Sequence, residues 1–155
     1  MNSRLSIRVD DLRGPEIHAL LEEHLAQMHR ESPPESVHAL DLAQLRRPEI
    51  SFWTIWDDDQ LVGCGALKLL DATHGEIKSM RTPAALRRRG AGRAMLAHIV
   101  EAARERGLRR LSLETGTQDS FQPARTLYAS FGFRETGPFA DYAPDRYSCF
   151  MSLEL

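Results

Sequence analysis

Cysteine is scarce and long apolar runs are absent from this 155-residue sequence. Its two cysteines, Cys64 and Cys149, lie far apart without a CxxC pattern, which argues against disulfides and against a zinc site. No apolar run approaches the roughly 20 residues that a membrane-spanning helix needs. The opening residues, MNSRLSIRVDD, contain no apolar signal-peptide core. We therefore expect a reduced, cytoplasmic protein without a membrane partner.

An excess of positive charge is also missing. Lysine and arginine number 20 against 22 aspartates and glutamates, so the formal net charge is −2. General nucleic-acid-binding proteins usually have a basic balance, and we expect no nucleic-acid partner. The composition is otherwise ordinary, with 42% hydrophobic and 27% charged residues, as in folded globular chains. The length suits one domain, and no linker interrupts the chain, so we predict a single domain over residues 1–155.

Metal and nucleotide signatures are absent as well. The six histidines form neither an i, i+4 pair nor an HExxH motif, so no metal site is expected. The P-loop pattern GxxxxGK[ST] does not occur, and Gly90-x-Gly92 lacks the third glycine of a dinucleotide fingerprint. Cys64 has no base or cation beside it in sequence, which favours inert packing over a role as acyl carrier.

The hydrophobic patterning predicts alternating helices and strands. The predicted strands are Leu5–Val9, Ser51–Trp56, Leu61–Leu70, Gly75–Thr82, Leu108–Thr115, Phe133–Thr136 and Tyr147–Leu155. Four helices are predicted, and the first begins at Pro15. The second begins at Pro33, within a capping box over Ser32–Glu35, and runs to Leu45. The third runs from near Gly90 to Arg106, and the fourth begins at Gln122. One β-α-β crossover implies a parallel strand pair in an otherwise antiparallel sheet, so the fold class is α+β with a mixed sheet.

Four arginines surround two glycines in LRRRGAGRAML, Leu86–Leu96, just where an apolar helix begins. The first N–H groups of a helix lack internal partners and lie at the positive end of the helix dipole. Glycine lets such a loop approach a phosphate closely. The alternative is a solvated basic helix start, but cations at that position oppose the dipole unless an anion lies nearby. The stretch therefore indicates a phosphate-binding loop.

Two motifs resemble one family. RRRGAG, Arg87–Gly92, is similar to the [Q/R]-x-x-G-x-[G/A] pyrophosphate loop of the GNAT N-acetyltransferases, and ARTLYASFGF, Ala124–Phe133, is similar to their A-x-x-L-Y-x-x-x-G-F segment. HGEIKSMRT, LETGT and SCFMSLEL further resemble a YsnE-like bacterial branch. The resemblance implies a three-layer fold, with helices on both faces of a mostly antiparallel sheet. It also implies an enzyme that transfers acetyl from acetyl-CoA to an amine, without a metal.

The resemblance assigns acetyl-CoA contacts to two segments. The backbone of Met80, Arg81 and Thr82 would pair with the pantetheine arm. The alternative is that these residues form an ordinary strand end without a ligand. The pyrophosphate would be bound by the loop residues Arg87, Arg88, Arg89, Gly90, Ala91, Gly92 and Arg93. Many family members have asparagine where this chain has Phe121. That cofactor contact could come instead from Asp119, Ser120 or Gln122, or be missing.

Three residues are candidates for catalysis. The resemblance assigns Tyr128 as general acid, and a hydrogen bond to the developing CoA thiolate describes the role best, because tyrosine is a weaker acid than a thiol. An amine acceptor is mostly protonated at pH 7, so a base must remove its proton. Glu76 resembles the strand carboxylate used by other family members, and Glu114 is its rival. Core packing for Tyr128 and salt bridges for the two glutamates are the alternatives.

The acceptor is the least defined part of the predicted function. We expect direct acetyl transfer to a primary amine of a small molecule in a ternary complex, by a monomer or homodimer. Acetylation of a protein amine, and a sensor module that binds CoA or another polyphosphate without turnover, remain alternatives. An aromatic acceptor wall could be formed by Trp53, Trp56, Phe139, Tyr142 and Phe150. Lys78 and Arg81 could hold an acceptor carboxylate.

Overall fold

The computed structural model describes residues 5–37, 42–83, 86 and 90–155. The strands are β1 Leu5–Val9, β2 Ile50–Asp57, β3 Gln60–Leu69, β4 His74–Arg81, β5 Arg110–Gly116, β6 Arg134–Thr136 and β7 Ser148–Glu154. The helices are α1 Pro15–Glu31, α2 Leu42–Leu45, α3 Ala91–Glu105 and α4 Gln122–Ser130, with 3₁₀ turns at Pro34–Ser36 and Asp119–Phe121. None of these helices has the length and apolar character that crossing a membrane requires.

The described strands form a seven-stranded sheet in the order β1-β2-β3-β4-β5-β7-β6. Every neighbouring pair is antiparallel except β4 and β5, which are joined through α3 and run parallel. The mixed, mostly antiparallel sheet and its single parallel pair are therefore confirmed. The parallel register extends only from His74 opposite Arg110 to Ile77 opposite Leu113. Beyond that point β4 and β5 are not paired with each other, and a cleft lies between their ends.

Apolar residues cover both faces of the sheet. Strand β2 shows the reason, because its side chains alternate between faces. Phe52 packs into the core beneath α1 and α2, whereas Trp53 and Ile55 pack into the larger core beneath α3 and α4. The larger core also contains Leu96 and Ile99 from the buried stripe of α3. The predicted three-layer arrangement, with helices on both faces, is confirmed.

Helix α1 begins at Pro15, as predicted, because proline suits the first turn of a helix, where its missing N–H is not needed. The predicted second helix is wrong in its first part. Ser32 and Pro33 each precede a proline and are extended, with ψ values of 146° and 154°. The capping box therefore does not form. A single turn follows, Val37 is extended, and α2 covers only Leu42–Leu45; residues 38–41 lie outside the described residues.

Candidate active site

The cleft between the diverging ends of β4 and β5 collects residues from four elements. Strand β4 contributes Glu76 to Met80, strand β5 contributes Glu114 to Gly116, and Phe121 precedes α4. Helix α4 adds Ala124 and Tyr128, and helix α1 adds His24 and Met28. All three predicted catalytic residues, Tyr128, Glu76 and Glu114, therefore line one cleft. Among the described residues, no group of three or more metal-binding side chains is arranged to hold an ion.

A bulge interrupts β4 beside the cleft. Lys78 pairs with Ala66 and Arg81 with Cys64, so two residues of β4, Ser79 and Met80, lie opposite one residue of β3. Ser79 has φ of 55°, a left-handed conformation that costs free energy for a residue with a side chain. The bulge turns backbone groups of β4 away from the regular ladder. The edge of β4 that would face β5 is thus available to an extended ligand, as required by the predicted pantetheine contact of Met80.

Cys64 supports this bulge from the neighbouring strand. Its thiol donates a hydrogen bond of 3.1 Å to the carbonyl of Ser79. Burial raises the pKa of Cys64 to about 12, so the nucleophilic thiolate is strongly disfavoured. The location and the raised pKa both support the interpretation of Cys64 as a packing residue.

The first N–H groups of helix α3 have no acceptor within the helix. Gly90 is the N-cap, with φ of 84°, and no side chain caps the helix. The first intrahelical bond runs from the N–H of Ala94 to the carbonyl of Gly90, so the N–H groups of Ala91, Gly92 and Arg93 have no intrahelical acceptor. A Cβ built on Gly90 would meet no atom within 4 Å, so open space adjoins this loop. These features suit a phosphate group.

The predicted arginine contacts divide into three cases. The side chain of Arg93 donates to the Ser130 hydroxyl at 3.2 Å and lies over the Phe131 ring, so it is directed towards the end of α4. The side chain of Arg81 donates to Glu23 at 2.7 Å and to Gln27, so α1 holds it. The remaining members of the predicted set, Arg87, Arg88 and Arg89, lie outside the described residues.

The resemblance predicts a cofactor contact at Thr82 and an asparagine at the position of Phe121. The Thr82 hydroxyl lies beside both Gly63 and Gly92, where β4 leads towards α3. Phe121 occupies the place of the asparagine common in the resembling family, and its ring lies against Gly116 at the end of β5. The three proposed replacements, Asp119, Ser120 and Gln122, are exposed and lie outside the set of cleft-lining residues.

Glu76 is buried, and one of its carboxylate oxygens has two partners. Its Oε2 accepts a 2.5 Å hydrogen bond from the Tyr142 hydroxyl and a 3.1 Å bond from Lys78 Nζ, which also donates to Tyr142 at 2.9 Å. Only 2% of Glu76 is exposed to solvent. The alternative interpretation of Glu76, a salt bridge with Lys78, is therefore present in the structure. Lys78 is correspondingly unavailable as a simple anchor for an acceptor carboxylate.

Glu114 is half-buried at the opening between the two strands. Burial raises the pKa of its carboxyl to about 7, with the nearby Lys78 charge opposing that rise and the Glu76 charge adding to it. Burial, together with the charge of Glu114, also raises the pKa of Tyr128 above its ordinary value. Glu114 is thus a carboxylate that can exchange a proton near neutral pH, and Tyr128 remains a protonated hydrogen-bond donor.

The residues of the predicted aromatic wall lie in different parts of the fold. Phe139, Tyr142 and Phe150 form one cluster, with ring centroids 5.0 to 6.1 Å apart, and the Tyr142 hydroxyl bonds to Glu76. Trp53 instead packs beneath α3, and Trp56 lies under Arg8 at the opposite edge of the sheet. Both tryptophans are on β2, which β3 separates from β4, so their proposed contact with the acceptor is wrong.

His24 and Met28 were not identified as cleft residues, although their i, i+4 spacing places them on one face of α1.

Comparison with known families settles the relationship. Residues 17–133 match the model of the acetyltransferase (GNAT) family. This chain belongs to the GNAT family. The sequence is 56% identical to the uncharacterised N-acetyltransferase YsnE of Bacillus subtilis (strain 168) over 97% of this chain and all of that protein. It is 51% identical to the uncharacterised N-acetyltransferase YedL of Escherichia coli (strain K12), over 97% of this chain and 94% of that protein.

Solved structures show the same fold. A candidate acyl-CoA N-acyltransferase from Klebsiella pneumoniae superposes with a TM-score of 0.83 and 30% identity, covering 99% of both chains. A Bacillus subtilis acetyltransferase solved in complex with CoA superposes with a TM-score of 0.72 and 20% identity, covering 97% of this chain and 99% of that one. The predicted YsnE-like GNAT resemblance is confirmed, and the chain is an N-acetyltransferase that uses acetyl-CoA.

Proposed function

We propose that this GNAT enzyme transfers acetyl directly from acetyl-CoA to a primary amine of a small molecule, with both substrates bound in the cleft between β4 and β5. The observation that supports this most is the convergence of Glu114 and Tyr128 on one cleft beside the uncapped start of α3. A module that only binds CoA would need neither a carboxyl with a pKa near neutral nor a buried tyrosine at that position.

Glu114 is the proposed proton acceptor. The amine must lose a proton before or during attack on the thioester carbon, and the raised pKa of Glu114 suits that transfer near neutral pH. Glu76 is less suited, because Tyr142 and Lys78 already occupy its Oε2. As the new C–N bond forms and the C–S bond breaks, the Tyr128 hydroxyl donates a hydrogen bond to the departing sulfur. The second proton that the nitrogen loses passes to this CoA thiolate, which leaves as the free thiol. Glu114 then releases its proton to solvent.

Direct transfer is favoured over an acetylated enzyme intermediate. None of the cleft-lining residues described is a cysteine, and Cys64 lies behind the β4 bulge with its thiol bonded to Ser79. Holding both substrates together removes the entropic cost of a bimolecular encounter from the chemical step. We place the acceptor beside α1, whose His24 and Met28 line the cleft, and we favour a small amine over a protein surface.

The test is CoA-thiol release from acetyl-CoA with ethanolamine, putrescine, tyramine, glycinamide and a lysine-containing peptide. Turnover of a small amine, with intersecting initial-rate lines when both substrates are varied, would support the proposal. Parallel lines would indicate an acetyl-enzyme intermediate. Turnover of the peptide alone would assign the enzyme to protein amines, and CoA binding without turnover of any amine would favour the sensor function.

A further inference from the structure

Helix α1 presents a histidine to the same cleft. His24 lines it together with Met28, one turn further along α1. Strand β5 presents Glu114 and helix α4 presents Tyr128 to that cleft. His24 thus belongs to the part of the cleft nearest α1, away from the glycine loop before α3. An acceptor that enters against α1 would contact its imidazole.

The imidazole of His24 lacks a partner where one is expected. Its Nδ1 is buried and has no hydrogen-bond acceptor or donor within the described part of the chain. Buried polar atoms in native proteins nearly always have a partner, so an exception that lines a cleft marks a position where a ligand atom can pair. The neighbouring polar side chains of α1 are unavailable, because Glu23 and Gln27 both bind Arg81.

The charges around His24 keep the ring neutral. Burial and, to a smaller extent, the positive charge of Arg81 on β4 together lower its pKa to about 4, and Glu23 on α1 opposes the change. A neutral imidazole has one nitrogen that donates and one that accepts a hydrogen bond. It is a poor proton acceptor near neutral pH, since its protonated form is disfavoured. The ring is therefore suited to binding and orientation rather than to removing the proton of the amine.

We infer that His24 is a positioning residue for the acetyl acceptor, whose hydrogen-bonding group pairs with a nitrogen of the imidazole and so directs the amine towards the thioester carbon. This inference rests on the proposed function. It implies a preference for amines that have a second N–H, O–H or carbonyl group near the reacting nitrogen. Simple alkylamines lack such a group and should be poorer acceptors.

The experiment compares His24→Leu and His24→Asn with the amine of highest turnover among ethanolamine, putrescine, tyramine and glycinamide. Loss of one hydrogen bond should raise the KM for that amine about three- to tenfold in His24→Leu. The KM for acetyl-CoA should stay within about twofold of wild type, since one hydrogen bond at the acceptor end leaves the cofactor contacts intact. His24→Asn retains hydrogen-bonding atoms and should recover part of the affinity. His29→Leu, an exposed histidine on the same helix, is the matched control and should change neither value.

A readout independent of turnover completes the test. The ¹⁵N signals of the His24 ring, recorded with CoA bound, should shift when the amine is titrated in. The inference would be overturned by an unchanged amine KM in His24→Leu. It would also be overturned if the ¹⁵N signals of the His24 ring do not shift when an amine that the enzyme acetylates is added. If no amine releases CoA thiol, the proposed function fails. In that case an amine-dependent shift of the His24 signals still supports the part of the inference that concerns binding, namely that His24 contacts an amine, and the absence of any shift overturns the inference.

Discussion

Two carboxylates lie in one cleft, but their neighbours give them different chemistry. Glu76 is held by a phenol and an ammonium group, which satisfy its oxygen and fix its position. The pKa of Glu114 is raised because its carboxyl is buried, and the charge of Lys78 opposes that rise only in part. The Glu76 charge itself contributes to the high pKa of Glu114. Glu76 therefore acts on the site through its charge and through the Lys78–Tyr142 contact that it organises.

The first prediction concerns the pH dependence of the rate. Because Glu114 must be deprotonated to accept a proton, kcat/KM of the wild type should rise with pH through about 7. Glu114→Gln should lower kcat/KM about 100-fold near neutral pH, and the rate should recover towards the pKa of the amine, about 10.

Glu76→Gln is the matched variant for that measurement. Removing the Glu76 charge lowers the pKa of Glu114, so the rising limb should move to lower pH but persist. Loss of the limb in Glu76→Gln, with its retention in Glu114→Gln, would transfer the role of base to Glu76. If both profiles match wild type, the amine loses its proton in bulk water.

The second prediction concerns the Tyr128 hydroxyl. Tyr128→Phe keeps the ring and its edge contact with Phe133, at a centroid distance of 5.8 Å, but removes the donor to the leaving sulfur. A lost hydrogen bond to a charged group should lower kcat at least about tenfold, while the Kd for CoA changes less than about twofold. Tyr147→Phe removes a hydroxyl bonded to Arg146 outside the cleft and serves as the control. Equal kcat in wild type and Tyr128→Phe would restrict Tyr128 to packing.

Among the secondary-structure elements, helix α3 has a glycine at each end, and both glycines have the same left-handed backbone conformation. Gly90 at its start and Gly107 after its end have φ of 84° and 79°, and a Cβ at either position would meet no atom within 4 Å. Glycine is favoured at both positions for the same reason, because residues with a Cβ adopt this left-handed conformation only at a cost in free energy. Only the start of the helix has N–H groups without an acceptor within the helix, so only Gly90 is expected to matter for phosphate binding.

The third prediction uses this pair of glycines. Gly90→Val and Gly107→Val should each reduce stability by about 1–2 kcal/mol, because each forces a β-branched residue into a left-handed conformation. Gly90→Val alone should raise the Kd for CoA, by about tenfold or more, since its side chain occupies the space through which a phosphate would approach the loop. Calorimetric titration with CoA and thermal melts measure the two effects. Equal CoA affinity in both variants would contradict a phosphate site at Gly90.

At the scale of the whole molecule, the cleft depends on contacts between distant parts of the chain. Arg81 joins β4 to α1 through Glu23, and Gln118, which precedes α4, joins the end of α1 through a 2.9 Å hydrogen bond to Ser32. The Ser36 hydroxyl donates to Asp145 at 2.5 Å. These bonds connect α1 and the turn that follows it to β4, to the residues before α4 and to the segment before β7.

The fourth prediction is that CoA stabilises the folded protein. A ligand that binds only the native state at about 100 times its Kd stabilises by roughly 2.7 kcal/mol. For a chain of this size that corresponds to a rise in Tm of about 5–10 °C. Pantetheine at the same concentration lacks the diphosphate and should produce a smaller shift. Equal shifts from both ligands, measured by scanning calorimetry, would place the binding free energy in the pantetheine arm rather than at α3.

Local patterns in the sequence determined most of the fold. The alternation of β2, the spacing of apolar residues in α1 and α3, and the glycine after α3 each report a backbone preference that acts within a few residues. The two GNAT motifs likewise lie in continuous stretches, Arg87–Gly92 and Ala124–Phe133, so the family could be predicted and Tyr128 could be proposed as a catalytic residue. The exception, the helix expected from Pro33, failed for a local reason too, because consecutive prolines keep the preceding residues extended.

Only the tertiary structure decided which carboxylate has which environment. Glu76 and Tyr142 are 66 positions apart in the chain, and the hydrogen bond between them exists because β4 and the segment before β7 meet in space. The raised pKa of Glu114, the Arg81 contact with α1 and the position of His24 in the cleft depend in the same way on burial and on charges from other elements. Burial and electrostatic fields are properties of the packed chain, so no sequence pattern contains them.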